Sequence, residues 1–247
     1  MTKKCPGADN DRGTYSVVIS VSLKPAFYLL FLSVSCCLAQ QKNDNPDFYL
    51  STLKKKLNVI LEAAQFEAGD TIADVGAGLG WFDAAIGIYR DSLVFYLEDI
   101  DSAFVKNERL TEAISTFSKF RGSRIECRYH WVIGDEKSTG LPDGFVDKVL
   151  LIDTYHHIQY REDMIRDIVR ILKPNGELVV MEPVGRKRGQ IYKGCFSVIF
   201  TPEEIISSFS AHGLIHLKTL KTVKSTRKRV RVFVFARQLA GSEFSQQ

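Results

Sequence analysis

The sequence predicts an α/β domain, a largely parallel sheet covered by helices on both faces with an antiparallel hairpin at one edge. Three observations predict it. Strand-like and helical stretches alternate from Thr71 onward. The central strand candidates are apolar throughout, as in Val149-Leu150-Leu151-Ile152, which fits strands buried on both faces. The last two strand candidates, Leu214 to Leu220 and Val230 to Ala236, have no helix between them. A chain of 247 residues with 45% hydrophobic and 25% charged residues suits one such domain, large enough to need neither disulfides nor a metal for stability. Its net charge of +4 is too mild to imply nucleic acid by itself.

The N-terminus departs from this pattern. A polar lead ends at Lys24-Pro25, and an apolar run follows from Ala26 to Ala39 before polar Gln40. That order reads as a secretory leader over 1–39, with an apolar core short of the ~20 residues a spanning helix needs. A linker (40–45), a domain (46–238) and a short tail (239–247) follow. The expected location is secreted or periplasmic if the leader is functional, and cytoplasmic if translation starts downstream of Met1. Membrane contact is expected only through an uncleaved leader.

Within the domain, Tyr49, Leu53, Leu57, Ile60, Leu61 and Ala64 recur at helical spacing until Gly69-Asp70 ends the helix. Thr71 to Val75 reads as a buried strand, Ser92 to Glu98 as a second, and Ser102 to Ser118 as a helix. Cys127 to Ile133 and Phe145 to Ile152 read as further strands. Arg161 to Leu172 is an amphipathic helix stopped by Lys173-Pro174-Asn175-Gly176, because proline cannot continue the ladder and asparagine or glycine takes the left-handed turn. Leu178 to Met181 is the next strand. Thr201-Pro202-Glu203-Glu204 then starts a helix, with Thr201 as N-cap.

The chemistry is carried by three strand ends. The first strand runs into Asp74-Val75-Gly76-Ala77-Gly78-Leu79-Gly80. Glycines permit a tight turn and close approach of backbone to a ligand, and the following helix offers free N–H groups. The spacing is G-x-G-x-G rather than the G-x-G-x-x-G of dinucleotide sites, and an acid before the loop would oppose a pyrophosphate. Asp74 suits a cationic ammonium instead, which disfavours a nicotinamide oxidoreductase. The second strand ends Glu98-Asp99-Ile100-Asp101, with Asp99 nineteen positions after Gly80, near the spacing that places a carboxylate on a ribose. Strand alternation and spacing favour Asp99 over Glu98. The third ends Ile133-Gly134-Asp135-Glu136, where Asp135 can accept from an adenine amine while Ile133 or Glu136 backbone packs beside the base.

With Leu141-Pro142-Asp143-Gly144-Phe145 and Ile171-Leu172-Lys173-Pro174-Asn175-Gly176-Glu177-Leu178 following in order, the chain from Asp47 to Arg237 resembles the class I S-adenosylmethionine-dependent methyltransferases. The resemblance implies a Rossmann-like, doubly wound, seven-stranded sheet of order 3-2-1-4-5-7-6 and S-adenosyl-L-methionine as cofactor. It also implies methionine binding by Asp74, Gly76, Ala77, Gly78 and Gly80, ribose binding by Glu98-Asp99-Ile100, and adenine binding by Gly134-Asp135-Glu136. Asn175 replaces the family's usual glycine.

The fourth strand leads into Asp153-Thr154-Tyr155-His156-His157, which should face the transferring methyl, since ligands of open α/β sheets lie beyond the carboxyl ends of the strands. Asp153 is counted with the cofactor contacts. His156 or His157 can serve as a base where the acceptor must lose a proton. The long connection from Gly185 to Phe200 is expected to shape acceptor choice. The basic run Lys218, Lys221, Lys224, Arg227, Lys228, Arg229 and Arg231 lacks interleaved aromatics and reads as a solvated hairpin tip, so no nucleic-acid partner is expected. Cys127 and Cys195, far apart and unpaired in spacing, imply two separate thiols and no metal site. The expected activity is methyl transfer to a small-molecule or lipid-like acceptor. The alternative is a module that binds the nucleoside without turnover.

Overall fold

The computed structural model describes residues 46–105, 108–221 and 229–237, within the unit Asn45–Gln247. The leader, the linker, most of the final hairpin's basic tip and the tail lie outside the described residues. The strands are β1 (Thr71–Val75), β2 (Val94–Asp99), β3 (Arg128–Ile133), β4 (Val146–Ile152), β5 (Leu172–Pro183), β6 (Gln190–Ile191), β7 (Val198–Ile199), β8 (Leu214–Lys221) and β9 (Val230–Arg237). The helices are α1 (Pro46–Ala64), α2 (Trp81–Ile86), α3 (Ser102–Val105), α4 (Arg109–Arg121), α5 (Arg161–Ile171) and α6 (Pro202–Ser210), with a 3-10 turn at Tyr155–His157.

Seven strands form one sheet in the order β3-β2-β1-β4-β5-β9-β8. Pairings from β3 through β5 are parallel, and β9 runs antiparallel to both β5 and β8. Numbering only these seven gives the order 3-2-1-4-5-7-6. The remaining two strands, β6 and β7, form a separate small hairpin inside the connection from Gly185 to Phe200.

Alternation along the strands divides the core between the two faces. Ile72, Leu150, Val179, Val232 and Val234 pack with Leu57 and Ile60 of α1, Ala84 to Ile86 of α2, and Leu110 and Phe117 of α4. Ala73, Val75, Val149, Leu151, Val180, Phe233 and Phe235 pack on the other side with Met164, Ile165 and Ile168 of α5 and Phe209 of α6. Side chains point alternately up and down along a strand, so each strand feeds both cores and the central ones must be apolar throughout.

Two elements differ from the sequence expectation. The helix expected over Ser102–Ser118 is divided into α3 and α4; Asp101 Oδ1 accepts from Ala103 N at 2.9 Å and closes a separate first turn. The second piece runs on to Arg121, because the first residue suited to a left-handed cap is Gly122 (φ 78°), which donates to Ser118 O and Lys119 O. The strand expected over Leu178–Met181 begins at Leu172, which already pairs with Val146. The Pro174-Asn175 turn, with Asn175 at φ 69°, is absorbed by a register shift between Val146 and Lys148. Thr201 caps α6 as expected, in a reciprocal box with Glu204.

Candidate active site

Parallel order brings the carboxyl ends of β3, β2, β1, β4 and β5 to one edge in that sequence, and the motif residues line it. The glycine loop after β1 is tied to β2, since Gly76 N and Ala77 N both donate to Glu98 O at 2.9 Å. Its three glycines all take positive φ (74°, 57° and 67° at Gly76, Gly78 and Gly80) but serve different ends. A Cβ on Gly76 would lie 2.4 Å from Thr154 Cγ2, and one on Gly80 would lie 2.8 Å from Leu97 Cδ1. Those two are small so that β4's exit and β2 can close on the loop. A Cβ on Gly78 meets nothing within 4 Å, so this is the loop position open to a ligand.

Asp99 is 9% exposed at the end of β2. Its Oδ2 accepts from Gly78 N at 3.0 Å and its Oδ1 from Asp101 N at 2.9 Å. The carboxylate is therefore held on the open side of the loop with lone pairs left for a diol. Glu98 turns the other way: it is 1% exposed, and a Cβ on Gly134 would fall 2.0 Å from its Oε1. Burial pushes the Glu98 carboxyl up to about 8, against a weak donation from Gly76 N at 3.4 Å. Glu98 is thus an interior acid, and Gly134 is small to admit it.

Asp135, exposed beyond β3, folds its Oδ1 onto Lys137 N (2.8 Å) and Ser138 N (2.9 Å). Glu136 is exposed beside it. Ile100 and Ile133, 57% and 54% exposed, stand at the neighbouring tips of β2 and β3, where Ile133 is in register with Asp99. Exposed aliphatic side chains beside an acid suit a purine's flat faces and amine.

Asp74 is 3% exposed and faces inward toward Asp83 of α2. Burial, then the charge of Asp83, holds Asp74 well above the usual carboxylate range, and burial pushes Asp83 up to about 7. Two such acids cannot readily both ionise out of water. Among the described residues no lysine or arginine ion-pairs with Asp74, Asp83, Glu98 or Asp99. A cationic ligand fits this concentration of acids.

The acceptor side is built differently. Asp153 leaves β4 at φ 54°, and its Oδ2 accepts from Lys56 Nζ of α1 at 2.5 Å. Thr154 Oγ1 donates to Ile152 O at 3.0 Å. The following 3-10 turn buries His156 and exposes His157, with ring centres 4.0 Å apart. Glu182, at the end of β5 and 1% exposed, accepts from Tyr155 N through Oε1 (2.7 Å) and from His156 Nδ1 through Oε2 (2.6 Å). Burial opposes charge on His156, but the bond and charge of Glu182 outweigh it and its pKa is raised. Burial, then the neighbouring His156, lowers that of His157. Of the two rings His157 is open to the site, whereas His156 is held by Glu182. Cys195, carried between β6 and β7, lies with both histidines, the three donor atoms within 4.8 Å of one another. Cys127 sits at the amino end of β3, its Sγ donating to Arg90 O at 3.3 Å, so the two thiols are free and at opposite ends of the sheet. A cavity of about 340 Å³ at that other end, lined among others by Glu67, Asp147, Lys148 and Glu177, contains none of the residues assigned to the cofactor.

Sequence reasoning missed Asp83, Glu182 and the convergence of Cys195. Glu182 was findable, since Met181-Glu182 is a strand-end acid like Asp99. Asp83 and Cys195 carry no such signal.

Strand order, glycine loop and acidic strand tips together define a class I methyltransferase fold. Residues 73–180 match the family model described as a methyltransferase domain. The chain is 26% identical over 151 residues to the ubiquinone/menaquinone biosynthesis C-methyltransferase UbiE of Azotobacter vinelandii, covering 58% of this chain and 54% of that protein. In three dimensions it is similar to a Burkholderia thailandensis 1,6-didemethyltoxoflavin-N1-methyltransferase solved with 1,6-didemethyltoxoflavin and S-adenosylhomocysteine, at TM-score 0.61 and 14% identity over 90% of this chain and 93% of that one. The [4+2]-cyclase SpnF shares the fold at TM-score 0.60 and 17% identity, over 75% of this chain and 82% of that one. The chain is thus similar to class I S-adenosylmethionine-dependent methyltransferases in its central residues and in its fold. It spans 54% or less of the length of the first curated relatives it matches.

Proposed function

We propose that the protein holds S-adenosylmethionine across the tips of β1, β2 and β3 and methylates a small-molecule acceptor that enters from the β4–β5 side. The observation that carries this reading is Asp99, fixed by two backbone donors beside the one loop glycine that faces open space. Asp99 accepts from the ribose hydroxyls, Asp135 from the adenine amine, and Ile100 and Ile133 flank the base. The loop amides favour the carboxylate of the methionine end, and the acids behind them favour its ammonium. The cofactor supplies an electrophilic methyl group; the chain's own work is to align an acceptor with it and exclude water, which is worth several kcal/mol or more. A small acceptor is supported by relatives named for quinone biosynthesis and for 1,6-didemethyltoxoflavin.

Calorimetry with S-adenosylhomocysteine tests the site. Asp99→Ala removes two charge-assisted bonds of about 1.5–3 kcal/mol each, so affinity should fall on the order of 100-fold or more. Asp101→Ala, exposed and engaged only in its own turn, should leave affinity within about threefold. No heat from either S-adenosylmethionine or its demethylated product would end the proposal. The cyclase of the same fold motivates a second reading, nucleoside binding without methyl transfer. Labelled-methyl transfer to extract small molecules separates the two.

A further inference from the structure

We propose that His156, His157 and Cys195 bind a single zinc ion at the acceptor edge of the sheet, with Glu182 as the carboxylate that orients the first ligand. Their donor atoms already lie within 4.8 Å of one another. Tetrahedral zinc, with bonds of roughly 2.0–2.3 Å, needs donors about 3.3–3.8 Å apart, a closure of roughly 1 Å. Cys195 can supply that closure, because it sits in the short β6–β7 hairpin rather than in the sheet.

The surroundings match a metal site more closely than a chance cluster. Glu182 Oε2 lies 2.6 Å from His156 Nδ1, which leaves Nε2 as the coordinating nitrogen and fixes the ring. A buried carboxylate behind a ligating histidine is the usual support of a zinc ligand. Two imidazoles and one thiolate are the borderline-soft set zinc prefers, and three protein ligands leave a fourth position open. Zinc there would pin the hairpin over the β4 and β5 tips. The proposal concerns metal binding alone and stands apart from methyl transfer.

Cobalt(II) is the probe, because tetrahedral cobalt with a thiolate ligand absorbs in the visible and near ultraviolet. Titrating the whole chain should give those bands at one equivalent, and zinc should displace them. Cys195→Ser should abolish the thiolate charge-transfer band, and His157→Ala should weaken binding at least 100-fold. Glu182→Gln should weaken it 10–100-fold, while Cys127→Ser at the far end of the sheet should change nothing. Circular dichroism and S-adenosylhomocysteine binding check that each variant is folded. The site is overturned if cobalt gives only octahedral absorption, or if folded Cys195→Ser and His157→Ala bind as tightly as the unchanged chain.

Discussion

The two halves of the functional edge are assembled by opposite strategies. At the tips of β1, β2 and β3, every contributing group lies within a few residues of a strand end, and the neighbours that shape it are other strand ends. At the tips of β4 and β5, His156 meets Glu182 across 26 positions and Cys195 across a hairpin that belongs to neither strand. The first half stores its electrostatic tension in unpaired acids, and the second neutralises an acid against an imidazole. A cation-binding half and an adaptable acceptor half are what these two constructions provide.

The largest expected effect probes the second half. Glu182→Ala would leave the buried Tyr155 N–H and His156 Nδ1 without their acceptor. Stranding two buried donors should cost on the order of 3 kcal/mol of unfolding free energy. Glu182→Gln, which keeps an acceptor, should cost less than half of that. Urea unfolding measures both. A loss below about 1 kcal/mol for Glu182→Ala would mean the pair is not buried as a unit, and the contrast between the halves would fail.

The next effect probes the first half through pH. Asp83 and Glu98 have folded pKa values of about 7 and about 8, above their ordinary values of 3.8 and 4.5. The folded state therefore binds more protons than the unfolded state between those limits, so their contribution to stability falls as pH rises. The melting temperature of the ligand-free protein should decline from pH 5 to pH 8. Asp83→Asn, which cannot ionise beside Asp74, should flatten the decline and melt several degrees higher at pH 8, roughly 1–2 kcal/mol. A melting temperature that climbs across this window would show that the acids are compensated after all.

How much was legible follows from the same contrast. Strand order came from the family resemblance, whereas the two-faced core and the loop residues Gly76 to Gly80 were readable because hydrophobic alternation and glycine spacing are local signals. Asp99 could be preferred to Glu98 from alternation alone, and the structure puts the two on opposite sides of the strand. The separate first turn of α3 was not readable, because it is closed by one side-chain bond from Asp101. Asp74 was read as a direct partner for an ammonium group, whereas it is buried against Asp83; helix α2 folds back over β1, which spacing does not reveal. Cys195 looked isolated because convergence across the β6–β7 hairpin is a property of tertiary structure.

The smallest expected effect lies where the halves meet. Lys56 of α1 reaches the Asp153 carboxylate at the exit of β4, with side chains 37% and 41% exposed. An ion pair that accessible to water is screened and should contribute only about 0.5 kcal/mol, so Lys56→Ala should barely move the urea midpoint. The pair ties α1 to the exit of β4, beside the proposed acceptor position. The sharper reading is therefore a salt titration of S-adenosylhomocysteine binding. If the pair keeps α1 closed over the site, affinity should weaken a few-fold between about 0.05 and 0.5 M salt as charges are screened, and Lys56→Ala should remove most of that dependence. An unchanged salt slope in the variant would reduce the pair to surface decoration and leave α1 held by its buried face, Leu50, Leu57, Ile60, Ala63 and Ala64.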